Sequence, residues 1–168
     1  MGEILKGEVG PYESVGLLED DADQTRKRAL IAFASPKHER IFSLLDDRDF
    51  DEIEVIFPKA DTPRTTISRL AGEVIAQTKP NARTSMVDSD DLSELIKHCD
   101  LAYLRMYAED GANVEIGLTG SKLQAVAIAA LSSQRKFSQA WYVKPAEFDE
   151  SRFSKGFSAL RLFELTTG

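Results

Sequence analysis

Thr119, Gly120, Ser121 and Lys122 form a short polar interruption between two apolar patterns. Their types suit one task, the holding of a phosphate. A turn of this kind that opens a helix presents free backbone N–H groups and the positive end of the helix dipole, and a lysine adds a full charge. The turn is shorter than a Walker loop, in which two glycines flank four residues ahead of the lysine, so a P-loop NTPase is excluded. The plainer reading is a strand-to-helix turn with Ser121 as the cap and Lys122 in solvent.

Other cations fall at similar places, just after apolar runs: Lys37, Lys59, Arg64 and Lys144. Together with Lys122 they would focus an anionic ligand on one rim of a sheet. Lys59 reads as plain loop surface. Ser35 ends the first regular apolar run and is placed to contact the same ligand. Asp88, Asp90 and Asp91 interrupt the basic rim, and capping explains them more simply than a divalent cation does. His38 and His98 are far apart in sequence, and Cys99 falls on an apolar stripe, so no Cys/His nucleophile pair is read from them. No metal or cofactor is expected, and the absence of Gly-x-Gly-x-x-Gly after the first regular strand disfavours a dinucleotide.

The elements that must position these residues alternate. Residues 29–34 are continuously apolar, as in a strand buried on both faces. Ile41, Leu44 and Leu45 mark a helical face, and residues 53–57 form a second strand. Thr62 and Pro63 read as the cap and first residue of a helix with Ile67, Leu70, Ala71, Val74 and Ile75 as its buried stripe. Residues 84–87 give a third, weaker strand. The helix after it is capped by Asp90, carries Leu92, Leu95, Ile96, Cys99, Ala102, Tyr103 and Met106 on one side, and stops near Gly111.

Val114, Ile116 and Leu118 alternate as a fourth strand, and Leu123, Val126, Ala127, Ala130 and Leu131 follow at helical spacing. Residues 140–143 are a fifth strand, with Trp141 and Tyr142 fitting a buried strand that has one polar tip near the site. Residues 160–165 alternate as a sixth, antiparallel at the sheet edge. Residues 1–27 form an extension, with a hairpin or edge strand near Gly10 and Pro11 and an acidic linker, and residues 28–168 form one domain. The fold expected is α/β, a three-layer Rossmann-like arrangement with a mainly parallel sheet in the order 3-2-1-4-5. That order brings the ends of the first and fourth strands together at the topological switch point.

The chain has 168 residues, 42% of them hydrophobic and 29% charged, with a formal net charge of −7 and one cysteine. The charge opposes binding to duplex nucleic acid or anionic lipid, yet leaves room for a small anion at a local cluster of cations. One cysteine excludes an internal disulfide framework. No apolar run approaches the roughly 20 residues of a membrane span, and no signal segment opens the chain, so a cytoplasmic location is expected.

An apolar strand ending in Thr119-Gly-Ser-Lys122, an Ala-rich amphipathic helix, and then Trp141-Tyr-Val-Lys144 resemble the CARF domains (CRISPR-associated Rossmann fold). The resemblance covers roughly residues 28–148 in element order. It implies a homodimer that binds a cyclic oligoadenylate second messenger across its two-fold axis, in some members cleaving the ring by setting a ribose 2′-hydroxyl against the neighbouring phosphate. By position, Thr119, Gly120, Ser121 and Lys122 would cradle a phosphate and Ser35 would touch the ligand. Lys37, Arg64 and Lys144 complete the ligand-binding set. Lys122 and Ser35 are the catalytic candidates if cleavage occurs, and no catalytic base is identified. The turn has one glycine where the family often has two. Two other readings stay open: a metabolic enzyme acting on a phosphorylated small molecule, with Asp88 or His38 as its acid or base, and a non-catalytic interaction domain.

Overall fold

Apolar periodicity sets the elements, and the computed structural model describes residues 11–16, 22–59 and 62–143 of the chain. They run β1 (Tyr12–Ser14), β2 (Arg28–Phe33), α1 (Glu39–Asp47), β3 (Glu52–Pro58), α2 (Pro63–Thr78), β4 (Ala82–Val87), α3 (Leu92–Leu104), β5 (Asn113–Gly117), α4 (Lys122–Ser132) and β6 (Gln139–Val143). A single π-helical turn, Arg105–Glu109, prolongs α3. Gly111 then ends it in the left-handed region at φ 64°, which a side chain would disfavour.

The six strands lie in the order β1-β6-β5-β2-β3-β4. All neighbours are parallel except β1, which runs antiparallel to β6. From β4 to β6 this is the expected 3-2-1-4-5 order in a Rossmann-like α/β sheet. Among the described residues the antiparallel edge is held by Tyr12–Ser14; the strand expected at residues 160–165 and Lys144 lie outside the described residues. Tyr12 fastens this edge to the helix layer by donating its hydroxyl to the carbonyl of Arg40. Part of the 1–27 extension is therefore sheet.

The strands alternate their side chains between two cores, as a sheet covered on both faces requires. Ile31, Phe33, Val114, Ile116 and Ala140 pack under α3 and α4. Leu30, Ala32, Val55, Phe57 and Trp141 pack under α1 and α2. Two buried acids interrupt these strands. Glu115 receives Arg28 Nε at 2.6 Å, Arg28 Nη2 at 3.1 Å and Trp141 Nε1 at 2.7 Å. Glu54 receives Arg105 Nη2 at 3.1 Å and the Ser85 hydroxyl at 2.5 Å. Both carboxylates are thus paired, as buried charge must be.

Four local expectations are corrected. Helix α2 does not bury Ile67, Leu70 and Val74, which are 45%, 51% and 44% exposed; it docks through Ser68, Ala71, Gly72 and Ile75. The contact with β3 is so close that a Cβ on Gly72 would lie 2.8 Å from the Phe57 ring, which leaves no room for a side chain at that point. Helix α3 is capped by Asp91, whose Oδ1 accepts from the amides of Ser93 and Glu94, and not by Asp90. In α4, Gln124 is buried and Val126 is exposed. Tyr142 is also exposed, whereas Trp141 is buried.

Candidate functional site at the carboxyl rim of the sheet

Strands β2 and β5 are neighbours, and the chain progresses away from them in opposite directions, so the switch point lies between their carboxyl ends. Two side chains close this junction. The Thr119 hydroxyl accepts the Phe33 amide at 3.1 Å and donates to the Phe33 carbonyl at 2.7 Å. Ser35 Oγ donates to the Thr119 carbonyl at 3.0 Å. Thr119 is fully buried, so its hydroxyl extends the pairing of β2 with β5 and does not face a ligand. Gly120 follows at close range. A Cβ there would stand 2.7 Å from the Phe33 Cβ and 1.8 Å from Gln124 Oε1.

Above the junction opens a cavity of about 540 Å³, lined among others by Ser35, Arg64, Ser68, Ser121, Lys122 and Gln124. That size falls within the range of small-molecule sites. Two helices start at its wall. Ser121 caps α4 by accepting the Gln124 amide at 3.3 Å, while Gln124 Oε1 accepts the Ser121 amide at 2.6 Å. Thr62 caps α2 in the same reciprocal way with Thr65, at 3.2 and 2.7 Å. These capping boxes satisfy the third amide of each helix and leave the first two without an intrahelical acceptor. In α4 those are the amides of Lys122 and Leu123. In α2 the first position is Pro63, so only the Arg64 amide is left.

Charge follows the same plan. Neither α2 nor α4 has an acid in its first turn, whereas α1 has Glu39 and α3 has Glu94. The positive helix ends at the cavity therefore carry no acid within their own first turns. The opposite wall comes from the loop before α3, through Ser89 and Asp90. The arrangement offers an oxyanion several donors and two cations, with one carboxylate in reach of a hydroxyl or amino group.

The structure brings Ser35, Arg64, Ser121 and Lys122 to one cavity. Thr119 and Gly120 shape it from beneath and do not line it. Lys37 and Lys59 are exposed and lie outside its wall. Lys144 lies outside the described residues. Ser35 commits its proton to the Thr119 carbonyl, so it presents lone pairs to the cavity. His38 contacts Glu39 at 4.0 Å and is not part of the wall. Cys99 is buried, and desolvation pushes its thiol up to about 12, so it is no nucleophile at neutral pH. Nothing in the sequence pattern of apolar runs and cations marks Ser68 or Gln124 as site residues. The Ser121-x-x-Gln124 spacing is a capping-box signature that could have revealed the second of them.

No family model matches this chain, and no curated protein matches it. No helix among the described residues is long and apolar enough to cross a membrane. Among solved structures, the chain is similar to a ferredoxin-NADP+ reductase from Plasmodium falciparum, with a TM-score of 0.41 and 12% identity over 75% of this chain. It spans about half of that reductase, 48% of its chain.

Proposed function

We propose that this chain is a nucleotide second-messenger sensor of the CARF type, which binds a cyclic oligoadenylate at the carboxyl rim of its sheet. One observation carries the reading. The Gly120-Ser121-Lys122 turn opens α4 at the switch point, facing a cavity that the start of α2 also enters. A phosphate of the ring sits on the free amides of Lys122 and Leu123, with the Lys122 ammonium and the Arg64 guanidinium neutralising it. A second copy of the chain, related by a two-fold axis, supplies the matching half-site, and the protein acts in the cytoplasm. If the ring is cut, Lys122 stabilises the pentavalent phosphate, and Ser35 joins once its proton leaves the Thr119 carbonyl.

Asp90 in the cavity wall favours a second reading, an enzyme acting on a phosphorylated small molecule with that carboxylate as its acid or base. Titration calorimetry with cyclic tetra- and hexa-adenylate separates the two, with sugar phosphates and linear nucleotides as controls. The sensor reading expects one ring per dimer. Lys122→Ala should stay folded and lose roughly 10- to 100-fold in affinity, the loss of a charge-assisted bond to phosphate. Undiminished affinity in folded Lys122→Ala would sink it. Binding confined to a sugar phosphate would favour the enzyme.

A further inference from the structure

Gln124 does more than cap a helix. It is 4% exposed, yet it lines the cavity. Its Oε1 accepts the Ser121 amide, which fixes the orientation of the carboxamide, because a flip would set NH2 against N–H. Its Nε2 therefore points away from Ser121, and among the described residues it has no hydrogen-bond partner. The nitrogen itself is open to the cavity, so its two unused donors are available to an acceptor placed there. Gly120 makes the pose available, since any Cβ there would strike Gln124 Oε1.

Sequence choice points the same way. Glutamate serves a capping box as well as glutamine does, and a first-turn acid gains from the helix dipole. The amide is the version that keeps the cap and offers a donor without adding negative charge. Ser68, 1% exposed in the same wall, holds only a long 3.5 Å bond to the Arg64 carbonyl of its own helix.

The geometry points to Gln124 as a ligand-binding residue: its Nε2 donates to a phosphate oxygen held at the start of α4, beside the Lys122 and Leu123 amides. It is an uncharged donor, suited to an oxygen of a phosphodiester, and it rests on the anion-site reading above. Ring size and base play no part in it.

The test compares wild type with Gln124→Glu and Gln124→Met. Glutamate keeps the acceptor for Ser121 and removes the donor. Methionine removes both without adding charge. The probes are inorganic phosphate, followed by the amide resonances of uniformly ¹⁵N-labelled protein, and cyclic tetra-adenylate, followed by calorimetry. The Gln124 side-chain amide should move on phosphate addition, and Gln124→Glu should melt as wild type does while losing at least tenfold in affinity for either probe. Gln124→Met should also bind more weakly, and by less. Wild-type affinity in Gln124→Glu, or an unmoved side-chain amide in saturated protein, overturns the inference. Phosphate binding through Gln124 without ring binding overturns the sensor reading and keeps this one. Ring binding indifferent to Gln124 does the reverse. No binding of either probe overturns both.

Discussion

At the scale of single residues, burial decides which groups can react. Cys99 lies within the core between the sheet and α3, and desolvation, reinforced by Glu54 and Asp100, raises its thiol from 9.0 to about 12. The fold thus holds the thiol neutral over a range in which an unfolded chain would release its proton. A raised folded value gives stability that is complete below pH 9 and lost as pH climbs toward 12. Wild type should therefore lose stability between pH 8 and 10.5 faster than Cys99→Ala does, by on the order of 1 kcal/mol. Urea unfolding at the two pH values measures the difference, in which the tyrosines and lysines common to both proteins cancel. Parallel pH profiles would show that Cys99 is not held neutral by the fold. Thr119 makes a similar point about roles. Its place in the turn suggested a phosphate contact, and its two bonds to Phe33 make it part of the sheet instead.

At the scale of elements, α2 shows how a close approach positions the site. Its docking face is Ser68, Ala71, Gly72 and Ile75, and Gly72 rides on the Phe57 ring of β3. Alanine normally favours a helix over glycine by about 1 kcal/mol. Here the added methyl would have to push helix and strand apart, so Gly72→Ala should destabilise by roughly 1–3 kcal/mol. The displaced helix carries Arg64 at its start, so affinity for an anion should fall as well. Phe57→Leu, which takes away the obstructing ring, should recover much of both losses in the double variant. A stabilised Gly72→Ala would mean that α2 can lift without cost.

That same docking face explains what the sequence could reveal. Helix periodicity marks Ile67, Leu70 and Val74 as core because they are large apolar residues at helical spacing on α2. Nothing local states that β3 presents Phe57 at a point where α2 has no room for a side chain. Strand identity was legible wherever a strand is buried on both faces, as at 29–34, and the order followed from short right-handed crossovers. The edge strand was ambiguous, because β1 has three residues and its pairing with β6 spans most of the chain. The turn at 119–122 was legible as a phosphate-type loop. Arg64 was legible as a cation of the same rim, but Ser68 and Gln124 were not, since their convergence depends on how α2 and α4 sit on the sheet.

At the scale of the whole molecule, two electrostatic effects oppose each other. The chain carries a formal −7, which repels itself and any incoming anion. The rim cavity gathers Arg64, Lys122 and two helix ends in one wall. Salt screens both, with a Debye length near 30 Å at 0.01 M and about 8 Å at 0.15 M. Screening the net charge should raise the Tm of the ligand-free protein between those two concentrations. Screening the rim should shrink the further rise in Tm given by a fixed excess of inorganic phosphate, at about 2–4 °C per kcal/mol for a chain of this size. Melting curves with and without phosphate at the two salt concentrations give both slopes. Lys122→Ala should keep the first slope and lose most of the phosphate increment. An increment that grows with salt would mean that bound phosphate feels the global charge more than the rim, and that the cavity is not where it binds.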